Sequence, residues 1–197
     1  SFKKSLDNFA LAKKELWFLE DSFIQGPAYL SAQGIIDGGK HLASSGKLFN
    51  ESLQGILTTL PQFQESSDND VSFTDQLKNH YVIFQSALQE LKSADASLQD
   101  VSTKLLPEAV RPKLEQARTR IRLLIQTFEN MDAFFPAVLK LLGDRYPHRI
   151  LVLLQNNNEI RPTGGFLGSF LILDVNDGHI QSTFHDVYDF DGQFHEY

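Results

Sequence analysis

The residues best suited to chemistry lie in one polar segment between two apolar runs, with the sequence QNNNEIRPTGGFLGS over residues 155–169. Its asparagines tolerate left-handed backbone and can bond their own chain, and its proline restricts the preceding arginine to an extended conformation. The glycine pair allows a sharp turn that leaves backbone N–H groups open to a ligand. Because a guanidinium beside such N–H groups suits an anion, the segment predicts an anion-binding site. Its candidate residues are Asn157, Arg161, Thr163, Gly164 and Gly165.

The same segment also has a purely structural interpretation, which is a turn held by an ion pair between Glu159 and Arg161. The sequence leaves both interpretations open. The common nucleotide-binding loops do not fit, because no Lys-Ser or Lys-Thr pair follows the glycines and the Gly-x-Gly-x-x-Gly spacing is missing. Ser169 lies outside the Gly-x-Ser-x-Gly pattern of a nucleophilic serine, so no catalytic residue is assigned.

Three carboxylates near the end of the sequence offer the hard oxygen ligands that divalent cations prefer. They are Asp186, Asp189 and Asp191. The spacing lacks the closing Glu of a calcium-binding loop, and the neighbouring histidines lack the i, i+4 spacing of a helical metal site. The alternative interpretation is that these carboxylates lie in a solvated loop.

The composition excludes several classes of protein. The chain has 197 residues, a net charge of −7 and no Cys. Disulfides, thiolate metal sites and Cys nucleophiles are therefore excluded, and the acidic charge argues against a nucleic-acid partner. No apolar run approaches ~18 residues, so no membrane-spanning segment is predicted within the chain. Because it begins at Ser1 and stops at Tyr197 inside sequence typical of regular structure, we expect it to be part of a longer protein.

Apolar residues recur at helical spacing through the first three quarters of the chain. They predict a bundle of about four long amphipathic helices, over about residues 2–25, 27–60, 73–105 and 110–142. The fourth helix has the clearest pattern, with two rows at seven-residue spacing. The rows are Leu114, Ile121, Phe128, Phe135 and Leu142, and Val110, Ala117, Leu124, Met131 and Val138. Pro136 predicts a kink or an early end in this helix.

Two features of these helices have more than one interpretation. Gly38 and Gly39 indicate either a broken second helix or a close helix crossing, and the cost of Gly inside a helix favours the break. Basic residues at the start of the fourth helix indicate either an anion patch or a solvated face with local pairs such as Glu115–Arg118, and the acidic total favours the latter. These basic residues are Arg111, Lys113, Arg118, Arg120 and Arg122.

From residue 147 onward the pattern changes to β structure. Strands are predicted over residues 149–155, 166–174 and 179–186, with the first strand buried on both faces. Asn176-Asp177-Gly178 predicts a tight hairpin between the last two. Because three strands leave uncovered edges, we expect further strands beyond the chain or cover from the bundle. The predicted fold class is α+β, with a stalk-like helical domain over residues 1–146 and an incomplete antiparallel or mixed β domain over residues 147–197.

Residues 153–170, 176–178 and 186–189 resemble the start of a bacterial family known as domain of unknown function 4012. The resemblance implies an N-terminal membrane anchor, a helical segment ahead of the family domain and a location on the outer side of the membrane. The strand order is also similar, more distantly, to the opening of the LytR–CpsA–Psr cell-wall ligases. That similarity implies that Arg161 binds a lipid pyrophosphate together with Mg²⁺, although the other sequence motifs typical of those ligases are missing from this chain.

We therefore predict a non-enzymatic, extracytoplasmic segment of a membrane-anchored cell-envelope protein, in which the helical stalk or interaction module carries a β domain of unknown function. No cofactor is expected, and the partner is an unknown protein or an envelope polymer. The first alternative is a phosphotransferase-like ligase or carrier of phosphate-containing glycopolymer or polyprenyl pyrophosphate, centred on Arg161 and using Mg²⁺. The second alternative is a cytosolic helical scaffold.

Overall fold

The computed structural model describes residues 2–20, 26–60, 72–159, 162 and 164–186. Its helices are α1 (Phe2–Glu20), α2 (Pro27–Thr59), α3 (Phe73–Gln99) and α4 (Arg111–Leu141), with a short 3₁₀ turn at Thr103–Leu105. Its strands are β1 (His148–Asn156), β2 (Phe166–Asn176) and β3 (His179–Asp186). The predicted α+β class, with four long helices followed by an antiparallel sheet, is confirmed.

The chain divides by its contacts into two compact units, each made of two stretches of sequence. The first, the helical unit, comprises residues 1–58 and 77–134; the second, the sheet unit, comprises residues 59–76 and 135–197. The predicted boundary near residue 147, between a helical domain and a β domain, stays a prediction. Among the described residues, no helix is both long and apolar enough to cross a membrane.

In the helical unit, α2 and α3 pack antiparallel through a row of small residues. The Ser45 hydroxyl donates to the carbonyl oxygen of Ala87, and the Ser52 hydroxyl donates to that of His80, both at 2.8 Å. Side-chain hydroxyls reach backbone carbonyls of a neighbouring helix only where the two backbones come close together. The row repeats every seven residues along α2, at Ser31, Gly38, Ser45 and Ser52.

The prediction that α2 breaks near Gly38-Gly39 is wrong, because α2 is continuous from Pro27 to Thr59. A side chain built on Gly38 would place its Cβ 2.6 Å from Leu98, and one on Gly39 would overlap the ring of Phe9. The space left by each missing side chain is therefore occupied by a neighbouring helix. This packing offsets the backbone-entropy cost of Gly, and the close-crossing interpretation is the correct one.

The core of the helical unit is centred on an aromatic cluster. The Phe128 ring lies 4.9 Å from the Phe49 ring and 5.2 Å from the Phe84 ring, measured between centroids. In the first predicted row of α4, the three residues of this unit are buried, namely Leu114, Ile121 and Phe128. In the second row, Leu124 and Met131 are exposed, so the predicted two-row seam is wrong there. Among the described residues, neighbouring helices cover one stripe of α4.

The end of α3 is capped by an arginine from α4. The Arg118 guanidinium donates to the carbonyl oxygens of Leu98, Gln99 and Val101, at 2.5 to 3.3 Å, and also to Glu115 at 2.6 Å. The last carbonyls of a helix have no partner within it and carry partial negative charge, so the partly buried Arg118 cation stabilises them. The predicted Glu115–Arg118 pair is confirmed. The prediction that helix three extends to Leu105 is wrong, because α3 ends at Gln99 and an exposed 3₁₀ turn follows.

Pro136 does not end α4, which continues to Leu141. A proline inside a helix leaves the carbonyl four residues earlier, here that of Asp132, without its usual donor. The Tyr81 hydroxyl lies 3.3 Å from that carbonyl oxygen and donates to the Asp132 carboxylate at 2.7 Å. Burial, followed by the hydrogen bond to Asp132 and the charge of its carboxylate, raises the pKa of Tyr81 to about 12.

We predict that Gly34→Ala destabilises the protein by about 1–3 kcal/mol, the usual cost of overpacking. An Ala Cβ at this position would lie 2.7 Å from the carbonyl oxygen of Ser97, which belongs to α3 backbone and cannot rotate away. Urea denaturation measures the effect. Without this contact the same change would stabilise α2 by ~1 kcal/mol, because Ala is the better helix former.

The matched control is Asn50→Ala, an exposed position on the same helix, which we expect to be neutral or slightly stabilising. If Gly34→Ala stabilised the protein as Asn50→Ala does, α2 and α3 would not be in close contact at this point.

Candidate functional site

The candidate site lies in the three-stranded antiparallel sheet, whose order is β1-β2-β3. The loop at residues 157–165, which joins β1 to β2, lies at one end of the sheet, and the β2–β3 hairpin lies at the other. The register shifts between Leu154 and Gln155, just before the loop, so that Gln155 pairs with Leu167 and Asn156 with Phe166. The sheet thus positions the loop that carries the predicted anion-binding residues.

The described part of this loop has a constrained backbone. The Asn158 N–H donates to the side-chain oxygen of Asn156 at 3.0 Å, a local turn of the kind that asparagine favours. Gly164 has a φ of +96°, which L side chains rarely adopt, and a Cβ on Gly165 would lie 2.7 Å from the Asn156 carbonyl oxygen. Both glycines are therefore required by the backbone at this turn, as the sequence predicted.

The predicted anion-binding residues are only partly within the described structure. Asn157 is exposed in the loop, Gly164 is exposed, and Gly165 is buried against β1. Arg161 and Thr163 lie outside the described residues, and so does the alternative ion pair between Glu159 and Arg161. The assignment of an anion site to this loop stays a prediction.

The predicted metal ligands are divided in the same way. Asp186 ends β3 and pairs with Ser169 of β2, whereas Asp189 and Asp191 lie outside the described residues. Over the part of the chain that is described, no three His, Asp or Glu side chains come together as a metal site would require. The nearby His185 ring stacks on Phe170, with 5.0 Å between centroids. The metal site stays a prediction.

At the opposite end of the sheet, the hairpin forms as predicted. Asp177 has a φ of +50° and Gly178 a φ of +80°, the positive values that a tight two-residue turn requires. The Asp177 carboxylate accepts hydrogen bonds from the Ser72 hydroxyl at 2.6 Å, from the Thr74 N–H at 3.2 Å and from the Thr74 hydroxyl. Because Thr74 is in the first turn of α3, Asp177 caps the start of that helix.

Two further contacts fix the hairpin within the sheet unit. The Gly178 N–H donates to the Leu142 carbonyl oxygen at 2.7 Å, and the ring of Phe73 packs where a Gly178 side chain would be. Gly143, with a φ of +77°, ends α4 against the Val175 backbone. The Asp75 N–H donates to the Ser72 hydroxyl oxygen at 3.1 Å, so Ser72 caps the start of α3 as serine commonly does at this position.

A cavity of about 600 Å³ with both polar and apolar lining residues lies near the start of β1. Along one wall, the Arg149 guanidinium forms two hydrogen bonds with the Asp174 carboxylate, at 2.7 and 3.0 Å. The hydrogen bond from Arg149 lowers the pKa of Asp174, and the same pair raises the pKa of Arg149. Arg149 is therefore paired with a carboxylate of the neighbouring strand at the sheet surface.

Comparison with known protein families supports one of the two resemblances. A family model described as Protein of unknown function (DUF4012) matches residues 146–195. The resemblance to DUF4012 is thus shown for this segment, which contains β1 to β3 and both loops. The comparison does not show the similarity to the LytR–CpsA–Psr ligases, which stays a prediction. No curated protein and no solved structure matches the chain.

We call residues 146–195, which match the DUF4012 model, the DUF4012 segment. Within it, the prediction that β1 is buried on both faces is wrong. Leu151 is 57% exposed and Leu153 is 56% exposed, on the face opposite Ile150 and Val152. The described strands form an open sheet in which β1 pairs only with β2, and this face of β1 lacks cover among the described residues. An apolar run shows that a strand prefers burial, but it does not show what covers each face.

We predict that Asp177→Asn lowers the free energy of unfolding by about 1–3 kcal/mol at neutral pH, since it replaces the charged acceptor of these hydrogen bonds with a neutral one. Burial raises the pKa of Asp177, but hydrogen bonds from Ser72 and Thr74 outweigh burial, and the net pKa is below its ordinary value. A lowered pKa stabilises the folded state above the unfolded value of about 3.9, and this stabilisation is lost as the pH falls through the folded pKa.

The measurement is urea denaturation of both proteins at neutral pH and at about pH 3. The difference between Asp177→Asn and the wild type should shrink at the lower pH. Asn still tolerates the positive φ of the turn, so the variant tests the carboxylate and not the backbone. Asp100→Asn, at an exposed carboxylate, controls for the loss of one charge; an equal effect of both substitutions would contradict the capping role.

Proposed function

We propose that the chain is a non-enzymatic, extracytoplasmic part of a membrane-anchored cell-envelope protein, in which the helical unit is a stalk or interaction module that carries the DUF4012 segment. The observation that carries this proposal is the continuous packing of α2 against α1 and α3 through small residues. The extracytoplasmic location is supported by the DUF4012 match at residues 146–195, through what the resemblance implies for the family.

Helix length supports a stalk. Helices α2 and α3 have 33 and 27 residues, and at 1.5 Å per residue they are about 50 and 40 Å long. Hydrogen bonds from Ser45 and Ser52 to α3 carbonyls fix the register between the two helices. A pair of long helices fixed in register resists sliding and bending, which is the property a spacer needs.

The location can be tested by thiol labelling, because these 197 residues contain no Cys. We predict that Gln126→Cys, at an exposed position of α4, reacts with a membrane-impermeant thiol reagent on intact cells as fully as it does after lysis. The experiment uses the full-length protein with any other cysteine replaced. A cysteine in a cytosolic protein of the same cells is the control. Labelling only after lysis would contradict the proposal and favour the cytosolic scaffold.

A second candidate function is binding of a polyprenyl pyrophosphate or a phosphate-containing glycopolymer at Arg161. The observation that favours it is the turn after this residue, where the positive φ of Gly164 and the tight packing of Gly165 set the backbone. Under this proposal Arg161 and Thr163 contact the phosphates together with Asn157 and the glycine N–H groups, and Mg²⁺ neutralises the remaining charge.

We predict that Arg161→Ala weakens binding of a polyprenyl pyrophosphate analogue to the full-length protein by about ten-fold or more, the cost of losing a hydrogen bond between charged groups. Isothermal titration measures the affinity. Arg149→Ala is the matched control, because Arg149 is already paired with Asp174 on the same sheet. Equal affinities for the wild type and Arg161→Ala would end the second candidate.

A further inference from the structure

The turn between β2 and β3 contains a chemically labile pair of residues, an aspartate followed by glycine. In such a pair the glycine backbone nitrogen can attack the side-chain carboxyl carbon of the aspartate, because no glycine side chain hinders the approach. The attack needs a carboxyl group and a backbone nitrogen that are free to move together. The sequence contains three such pairs, at Asp37-Gly38, Asp177-Gly178 and Asp191-Gly192. The last pair lies outside the described residues.

At the turn, other partners hold both of the reacting groups. The Asp177 carboxylate accepts hydrogen bonds from the Ser72 hydroxyl at 2.6 Å, from the Thr74 N–H at 3.2 Å and from the Thr74 hydroxyl. The Gly178 N–H donates to the Leu142 carbonyl oxygen at 2.7 Å, and Gly178 is buried. These hydrogen bonds must break before the nitrogen can reach the carboxyl carbon.

We propose that Asp177-Gly178 is a site of isoaspartate formation that stays unreactive as long as Ser72 and Thr74 hold the Asp177 carboxylate at the start of α3. The cap of α3 therefore protects the chain chemically, in addition to stabilising the helix. The site becomes reactive when the cap opens and the Gly178 N–H leaves the Leu142 carbonyl oxygen.

The reaction conserves all atoms and needs no oxidant or reductant. The Gly178 nitrogen bonds to the side-chain carboxyl carbon of Asp177, and the amide hydrogen leaves with the carboxyl hydroxyl as water. Water then opens the five-membered succinimide at either of its carbonyl carbons. Opening at the main-chain carbonyl frees the main-chain carboxylate and leaves the backbone running through the former side chain. The added methylene group lengthens the turn, so the original hairpin and its cap do not form again.

The ionisation state of Asp177 acts in the same direction as these hydrogen bonds. The hydroxyl leaves as water only from a protonated carboxyl group. Although burial raises the pKa of Asp177, hydrogen bonds from Ser72 and Thr74 lower it below its ordinary value. The folded chain therefore holds this group as the less reactive carboxylate.

Asp37-Gly38 provides an internal reference in the same chain. It lies within the continuous helix α2, where the Asp37 carboxylate forms an ion pair with Lys13 at 2.6 Å. A backbone nitrogen inside a helix is held by the helical hydrogen bonds. Isoaspartate at Asp37 therefore reports unfolding of α2, whereas isoaspartate at Asp177 reports opening of the turn.

Peptide mapping by mass spectrometry measures isoaspartate at each site of the full-length protein at neutral pH. We predict that Asp177 isomerises about ten-fold or more slowly in the folded protein than in guanidinium chloride, because the cap must open first. Ser72→Ala and Thr74→Val should each raise the rate at Asp177 in the folded protein and leave the rate at Asp37 unchanged. Ser86→Ala is the matched control, because the Ser86 hydroxyl is exposed and donates to a carbonyl of α3 itself.

Three outcomes would overturn the proposal. The first is an equal rate at Asp177 in the folded and the denatured wild type. The second is a rate at Asp177 that neither substitution changes. The third is an equal rise at Asp37, which would assign the effect to general unfolding. Circular dichroism sets conditions in which each variant is folded, and the wild-type comparison remains decisive if a variant does not fold. A cytosolic or an extracytoplasmic location leaves these expectations unchanged.

Discussion

Close approach of backbones at small residues is the constraint on which the helical unit depends. Helix α2 uses it on two faces: Ser45 and Ser52 reach the carbonyls of α3, and Gly39 and Gly46 accommodate the rings of α1. A larger side chain in either row would push a neighbouring helix outward. The aromatic cluster around Phe128 requires the same geometry, because its rings pack only when α2, α3 and α4 are at these separations.

In the sheet unit, a turn also depends on close approach at residues without a side chain. Gly178 brings the hairpin against the ring of Phe73 and the Leu142 carbonyl, and Gly143 lies against the backbone of β2. Asp177 then provides a charged acceptor for the Thr74 N–H in the first turn of α3, where the partial charge of the helix is positive. One short sequence, Asn176-Asp177-Gly178, therefore both turns the chain and caps a helix that is distant in sequence.

Features that depend on neighbouring residues could be predicted from the sequence, and features that depend on distant partners could not. The hairpin at Asp177-Gly178 and the Ser72 cap follow from local backbone chemistry. The continuity of α2 at Gly38-Gly39 was missed because the cost of Gly is local, whereas the gain comes from packing against other helices. Periodicity likewise marked Leu124 and Met131 as apolar positions without showing whether a partner covers them. In the site, the Arg149–Asp174 pair requires the strand register, which no local pattern contains.

The repeating contacts also bear on function. Because small residues recur at seven-residue steps along α2 and face α3 at Gly38, Ser45 and Ser52, a helical unit of this kind can change in length without a new kind of interaction. A binding site has the opposite property, since its groups must meet at one place. In the DUF4012 segment the glycine turn at Gly164-Gly165 is set by the pairing of β1 with β2, at the end of the sheet opposite the Asp177 hairpin. Under the proposed function, different residues would therefore meet the requirements for reach and for recognition, and the helices could vary in length while the loop keeps its geometry.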